Sequence, residues 1–125
     1  MTAQKRIMLI DDDKDHLFLT KLIFERCGYI VKIINECNQL EFLIEEVEQF
    51  HPHLIFIDHH MPGFCGLDAT QLLKADPNFR NIPVVYLTSE NNIAELAQEA
   101  EADGYLEKPF MVVDMLKLAS KFLKK

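Results

Sequence analysis

Hydrophobic residues recur along the chain in five short runs that are rich in β-branched and other apolar side chains. Several runs are apolar throughout and do not alternate with polar residues, which is typical of strands covered on both faces of a sheet. The pattern therefore predicts five strands, several of them buried on both faces. Their expected bounds are Arg6–Ile10, Ile30–Ile34, Leu54–Asp58, Val84–Thr88 and Gly104–Leu106.

The segments between these runs carry apolar residues at helical spacing. The two clearest stripes consist of Ile93, Leu96, Ala97 and Ala100, and of Val112, Leu116, Ala119 and Leu123. Strict alternation of strand and helix predicts a doubly wound α/β fold, in which helices cover both faces of a parallel sheet through right-handed crossovers. Because the sequence contains no internal repeat, low-complexity segment or linker, residues 1–125 are expected to form one domain.

Candidate capping residues indicate where the helices begin and end. The first helix is predicted from about Lys14 to Cys27 and closes at Gly28, a residue that accepts the left-handed conformation of a helix C-terminus. Asn38 is the candidate N-cap of the second helix, and Asn91 or Asn92 is the candidate N-cap of the fourth.

Composition and charge narrow the classes of function. The formal net charge of −7 opposes contact with a phosphate backbone, so no direct binding to nucleic acid is expected. The lysines near the C-terminus are interpreted as a solvated helix face; they are Lys117, Lys121, Lys124 and Lys125.

No apolar run approaches the roughly 20 residues of a membrane span, and the N-terminal apolar run is too short for a signal peptide. We therefore expect a cytoplasmic protein without membrane insertion.

Polar side chains lie where the predicted strands end. In open parallel sheets, ligands bind outside the carboxyl ends of the strands, so these side chains are expected to converge. They are Asp11, Asp12 and Asp13 after the first strand, Asp58 at the end of the third, Thr88 at the end of the fourth and Lys108 after the fifth. Such a set predicts a site for phosphoryl chemistry.

The chemistry of these groups supports that prediction. Clustered carboxylates repel one another unless a cation lies between them, and carboxylate and carbonyl oxygens are ligands that Mg²⁺ prefers. Lys108 adds a fixed positive charge and Thr88 a hydroxyl donor, the groups expected around a phosphoryl oxygen. The well-placed nucleophile is then the carboxylate of Asp58.

Four sequence blocks resemble a known family. They read "IMLIDDDKD", "LIFIDHHMPG", "VVYLTSE" and "GYLEKPF", and they match, in order and at the usual intervals, the motifs of the receiver domain of two-component response regulators. The resemblance covers essentially the whole chain and points to the stand-alone, single-domain type. It implies a flavodoxin-like (βα)5 fold whose five parallel strands lie in the order 2-1-3-4-5.

The resemblance also assigns roles at the ends of the first and third strands. It implies that Asp58 is the phosphoacceptor. Asp11 and Asp12 would hold Mg²⁺, with Mn²⁺ as an alternative, together with Asp58 and the backbone carbonyl of His60. The family uses only the pair that directly follows the strand, so Asp13 is interpreted as the cap of the first helix.

The remaining motif residues would contact the phosphoryl group or respond to it. Thr88 and Lys108 match the positions that bind phosphoryl oxygens, and the resemblance makes Lys108–Pro109 a cis peptide. Tyr105 matches the aromatic switch position, whose ring turns inward as Thr88 moves toward the phosphate.

The implied function is signalling and not that of a conventional enzyme, although the domain assists its own phosphotransfer and dephosphorylation. A sensor histidine kinase or a histidine phosphotransfer protein would supply the phosphoryl group from a phosphohistidine. Phosphorylation would then change the binding of a downstream protein target to the surface formed by the fourth helix, the fifth strand and the fifth helix. The protein is expected to be a monomer or a weak homodimer.

Two other functions use a similar topology. A metal-dependent phosphohydrolase with an aspartyl nucleophile generally needs a second aspartate two residues beyond Asp58, where this chain has His60, and a cap that 125 residues do not supply. A flavin-binding domain needs a hydroxyl- and glycine-rich phosphate loop after the first strand, where this chain has three acids. Both are kept as alternatives. Incubation with magnesium and a small phosphodonor such as acetyl phosphate can distinguish them from the signalling function.

Histidines and cysteines raise the alternative of a transition-metal site. His51 and His53 precede the third strand, at the opposite end from Asp58, and the adjacent side chains of His59 and His60 diverge in an extended loop. The three cysteines show no C-x-x-C spacing, which disfavours both a thiolate zinc site and a disulfide framework; they are Cys27, Cys37 and Cys65.

The side chain of His60 generates a prediction of its own. With Glu90, two residues after Thr88, it is expected to contact the water that hydrolyses the acyl phosphate. Because an imidazole titrates near neutral pH, we expect His60→Asn to alter the pH dependence of dephosphorylation between about pH 6 and 8. The rate of phosphoryl loss is measured in both proteins, and identical profiles would contradict the role.

Overall fold

Five parallel strands form one sheet in a computed structural model that describes residues 4–35, 39–61, 64–88, 93–108 and 110–123. They are β1 (Arg6–Ile10), β2 (Ile30–Ile34), β3 (Leu54–Asp58), β4 (Val84–Thr88) and β5 (Gly104–Glu107). Their order is β2-β1-β3-β4-β5, and each neighbouring pair is parallel. The predicted strand order is confirmed, and only the last strand extends one residue beyond its expected end.

Five helices among the described residues cover both faces of this sheet. They are α1 (Lys14–Arg26), α2 (Leu40–Phe50), α3 (Gly66–Ala75), α4 (Ile93–Ala100) and α5 (Val112–Leu123). Within the described part of the chain, none of these helices is long and apolar enough to span a bilayer.

Two separate apolar cores explain why the central strands carry apolar residues on both faces. Along β3, Leu54 and Phe56 pack into the core beneath α1 and α5, whereas Ile55 and Ile57 pack into the core beneath α2, α3 and α4. All four side chains are fully buried. The apolar residues of a central strand therefore contribute alternately to one core or the other, and the doubly wound prediction is confirmed.

The helix ends agree in part with the predicted caps. Asp13 is the N-cap of α1, because its carboxylate accepts a hydrogen bond from the His16 backbone N–H at 3.1 Å. Gly28 follows this helix with a φ of 96°, in the left-handed region. Gln39 occupies the N-cap position of α2 without a side-chain capping bond. The predicted caps Asn38, Asn91 and Asn92 lie outside the described residues.

A short antiparallel hairpin between β3 and α3 was not predicted. It pairs His60 with Cys65 and Met61 with Phe64. Strands of two residues are too short to show a period, so the hydrophobic pattern could not indicate them. The hairpin belongs to the connection that follows Asp58.

His53 joins the starts of the two central strands at the opposite edge of the sheet. The Arg6 N–H donates to its Nδ1 at 2.9 Å, and the His53 N–H donates to the Arg6 carbonyl at 2.7 Å. Burial lowers the pKa of His53, and the nearby charges of Arg6 and Lys5 lower it further. The fold thus favours neutral imidazole at this position, since Nδ1 must remain an acceptor.

We expect this contact to make stability depend on pH. Because the folded-state pKa of His53 lies below the usual 6.5, its stabilising contribution is complete above pH 6.5 and is lost as the pH falls through the lower value. His53→Asn keeps an acceptor oxygen that does not titrate, so this variant should lose less stability than the wild type between about pH 7 and pH 5. Urea unfolding at several pH values tests this, and parallel profiles would contradict it.

Candidate functional site

The parallel sheet brings the predicted site residues to one edge. Asp11 directly follows β1, Asp58 ends β3, Thr88 ends β4 and Lys108 directly follows β5. The first three residues are only 2%, 4% and 1% exposed. Two ionisable carboxyl groups are therefore withdrawn from water beside each other, an arrangement that carries an electrostatic cost unless cations compensate it.

A triad of carboxylates lies at the centre of this edge. One oxygen from each of Asp11, Asp12 and Asp58 falls within 4.8 Å of the others, and Asp12 is the exposed member. The ammonium group of Lys108 lies 3.2 Å from Asp58 Oδ1 and 3.9 Å from Asp11 Oδ2. The structure thus brings together the four charged residues that the sequence placed in one site.

The charges of this cluster do not balance. The pKa of Asp11 is raised to about 6, chiefly by burial and in smaller part by the neighbouring charge of Asp58. Two groups act in the opposite direction: the Asp13 N–H, which donates to Asp11 Oδ1 at 3.1 Å, and the charge of Lys108. One lysine therefore compensates the three acids only in part. A hard divalent cation with a preference for oxygen ligands, such as Mg²⁺ or Mn²⁺, fits this donor set.

Backbone hydrogen bonds continue the strand ladders into the site. The Asp11 N–H donates to the Ile34 carbonyl at 3.1 Å, the His59 N–H to the Leu87 carbonyl at 2.9 Å and the Lys108 N–H to the Thr88 carbonyl at 2.9 Å. These bonds lie at or just beyond the strand ends. They fix the main chain that carries the site residues, and the side chains take their positions from the sheet.

His16 also belongs to this site, although the sequence analysis did not select it. Its Nδ1 lies 3.7 Å from Asp11 Oδ2, and its ring meets the edge of the Phe110 ring at a centroid distance of 5.7 Å. The signal was available in part: the N-cap at Asp13 places His16 in the first turn of α1, beside the end of β1. Which way the imidazole faces depends on tertiary packing.

The other predicted residues are placed only in part. The main chain of His60 lies in the hairpin, but its side chain, Glu90 and Pro109 lie outside the described residues, so the structure does not test the roles or the cis peptide predicted for them. Tyr105 lies on β5, opposite Tyr86 of β4 in the strand register, and is 47% exposed. His51 and His53 lie near the start of β3, at the far edge from Asp58.

Fold and site together define a doubly wound α/β domain with an acidic site at the carboxyl edge of its sheet. Residues 7–120 match the family described as the response regulator receiver domain. The chain belongs to this family, whose members are signalling domains of two-component systems and not conventional enzymes. The family assignment that the four motif blocks predicted is confirmed.

Two relatives match this chain over different shares of their own length. The response regulator MtrA of Mycobacterium tuberculosis, named as DNA-binding, is 29% identical over 111 residues, which cover 87% of this chain and 46% of MtrA. The chain thus spans about half the length of that relative. The polar-differentiation response regulator DivK of Brucella ovis is 28% identical over 121 residues, which cover 95% of this chain and 96% of DivK.

A solved structure supports the fold. The receiver domain of the sensor histidine kinase PA1611 from Pseudomonas aeruginosa superposes with a TM-score of 0.83 at 22% identity, covering 98% of this chain and all of that one. That structure is described with a magnesium ion coordinated in its active-site cleft.

The raised pKa of Asp11 predicts a pH-dependent response to metal. For a carboxyl whose pKa rises on folding, the stabilising contribution is complete below the usual 3.8 and is lost as the pH rises through about 6. A cation binds the ionised form, so the increase in Tm on adding MgCl2 should be large at about pH 7.5 and small at about pH 5. NaCl at equal ionic strength is the control for screening. An equal increase at both pH values, or an unchanged response in Asp11→Asn, would contradict the assignment.

Proposed function

We propose that this protein is a phosphorylation-switched signalling protein whose phosphoacceptor is Asp58. The observation that carries the proposal is the position of this carboxylate: it ends the central strand, is 4% exposed and lies 3.2 Å from the ammonium group of Lys108. A nucleophile placed beside a fixed cation, within an acidic cluster, is suited to accept a phosphoryl group.

The donor in this proposal is a phosphohistidine of a sensor histidine kinase or a histidine phosphotransfer protein. A carboxylate oxygen of Asp58 attacks the phosphorus atom and forms an acyl phosphate. The phosphorus–nitrogen bond breaks, and its electron pair remains on the imidazole of the donor. Lys108 pairs with one phosphoryl oxygen and the Thr88 hydroxyl donates to another, so both residues stabilise charge that the acceptor site gains.

Mg²⁺, with Mn²⁺ as an alternative, is the cofactor that we assign to the carboxylate triad. Asp11, Asp12 and Asp58 would hold it together with the backbone carbonyl of His60. A bound divalent ion would neutralise part of the negative charge of the acids and of the incoming phosphoryl group. The acidic cluster of this chain and the magnesium ion described in the PA1611 receiver domain support the assignment.

Output would come from the face formed by α4, β5 and α5. Tyr105 is 47% exposed, and two further apolar side chains of the same region, Met111 and Val113, are also exposed. In the proposed switch, Thr88 moves toward the phosphoryl group and Tyr105 turns inward, which changes the affinity of this face for a downstream protein. A population shift of this kind requires only that the partner bind the two states with different affinity.

The proposal extends to the organisation of the protein. We infer that residues 1–125 act as one receiver domain in the cytoplasm, as a monomer or weak homodimer, without direct binding to nucleic acid. The match to DivK over 95% of this chain supports one receiver domain across these residues.

Phosphorylation with a small donor tests the proposal. Incubation with MgCl2 and acetyl phosphate should add one alkali-labile phosphoryl group to the wild type and none to Asp58→Asn, because only the carboxylate forms an acyl phosphate. Intact-protein mass spectrometry before and after alkali measures the addition.

Asp76→Asn is the matched control. The Asp76 carboxylate accepts the Asn78 N–H at 2.8 Å, a bond that an asparagine oxygen can also accept, and the residue lies beyond the end of α3. This variant should be phosphorylated like the wild type. Continuous release of phosphate from diverse esters would instead favour the phosphohydrolase, and retention of the label in Asp58→Asn would overturn the choice of acceptor.

A further inference from the structure

A buried phenol next to the acidic site has a specific partner. Tyr86, in the middle of β4, is 0% exposed, and a hydroxyl so deeply buried requires a hydrogen bond. The Tyr86 hydroxyl and the Nδ1 of His59 share one. The two rings meet edge to face, with centroids 5.5 Å apart and planes at 76°.

His59 occupies a central position in the candidate site. It lies between Asp58, the proposed phosphoacceptor, and His60, whose backbone carbonyl is a proposed metal ligand. Its N–H donates to the Leu87 carbonyl at 2.9 Å, and its carbonyl accepts the Gly66 N–H at 2.7 Å. The side chain adds a third attachment through its hydrogen bond to Tyr86, which belongs to the core beneath α2, α3 and α4.

The Tyr86 ring also packs against the start of α3 beside the Asp58 peptide. A Cβ atom added at Gly66 would lie 2.5 Å from the Asp58 carbonyl oxygen and 2.9 Å from Tyr86 Cε1. Gly66, the Asp58 peptide and the phenol ring therefore leave no room between them. A change in the position of the ring would be transmitted to the peptide that carries the proposed acceptor.

We propose that Tyr86 and His59 are positioning residues for the metal and phosphoryl site. Their hydrogen bond fixes the conformation of residue 59, and through it the Asp58 carboxylate and the His60 carbonyl. This inference rests on the proposed function, because it assigns the pair a role in that site.

Loss of this hydrogen bond should lower the affinity for Mg²⁺ more than it lowers the free energy of unfolding. Mg²⁺ demands near-ideal octahedral geometry, so a small displacement of two of its ligands weakens binding. The stability of the domain comes from two extensive cores, of which this bond is a small part. A contact that served only to stabilise the fold would leave the site geometry, and thus the affinity for metal, unchanged.

A double-mutant cycle on magnesium binding tests the inference. Tyr86→Phe removes the hydroxyl and keeps the ring of the fully buried residue. His59→Leu removes the imidazole, which is only partly buried, and leaves Tyr86 itself unchanged. Loss of an outer hydrogen-bond partner should weaken Mg²⁺ binding roughly 10-fold in each single variant. The double variant should be no weaker than either single variant, since both remove the same bond.

Two further variants separate positioning from packing. His59→Asn places a hydrogen-bonding atom close to the location of Nδ1 and should restore much of the affinity. Tyr29→Phe removes the hydroxyl of another buried tyrosine, 5% exposed and packed against Phe24, and should leave Mg²⁺ binding as in the wild type. Isothermal titration calorimetry gives the affinities, and urea unfolding gives the stability of each variant.

The outcomes distinguish this inference from the proposed function. Unchanged affinity in Tyr86→Phe and His59→Leu, with wild-type binding intact, would overturn the positioning role alone. Additive losses in the double variant would also overturn it, because the two side chains would then act separately. Failure of the wild type itself to bind Mg²⁺ would overturn the proposed metal site and, with it, the inference.

Discussion

A parallel sheet imposes one constraint from which the rest of this structure follows. Successive parallel strands can be joined only by crossovers that return the chain to the starting edge, so the carboxyl ends of all strands lie together. Asp11, Asp58, Thr88 and Lys108 are far apart in sequence, but each stands at or directly after such an end. Two apolar cores hold the strands in register, and the register places the polar groups.

The fixed register of the strands holds together charges that would separate in a flexible chain. Asp11 and Asp58 are both nearly inaccessible to water, and Lys108 is the ammonium group that faces both. The pKa of Asp11 is raised, chiefly by burial and also by the charge of Asp58, so the ammonium group does not offset the whole cost of ionising this carboxyl. Such an arrangement opposes the stability of the fold and persists because packing elsewhere supplies the stability.

His53, at the other edge, is a contrasting case. Its pKa is lowered, and its neutral ring stabilises the joined starts of β1 and β3 through an accepted hydrogen bond. Acid therefore weakens this contact while it relieves the repulsion between Asp11 and Asp58. A fall in pH therefore destabilises the edge of the sheet that carries His53 and stabilises the edge that carries Asp11 and Asp58.

Sequence reasoning succeeded where burial alone decides the structure. A run such as Leu54–Asp58 is buried along its whole length, so its bounds could be read from side-chain types. The cap at Asp13 was equally accessible, because it depends on a local bond to the first turn of α1. The convergence of the acids followed from topology, although the roles of individual site residues stay predictions.

What the sequence did not reveal depends on tertiary contacts. The hairpin at His60 is too short to show a period, and the approach of His16 to Asp11 depends on how α1 packs against β1. The bond between His59 and Tyr86 joins residues 27 positions apart, and no local pattern marks it. These are contacts between elements, and the sequence pattern describes elements one at a time.

The hydrogen bond from the Lys108 N–H to the Thr88 carbonyl has a mechanical consequence. It couples the end of β4 to the first residue after β5, so that neither can be displaced without straining the other. A displacement of Thr88 would therefore act on both strands, including β5, the edge strand that carries Tyr105. Thr88 is buried and Tyr105 is exposed, so this bond connects the buried part of the carboxyl edge to the solvent-exposed strand β5.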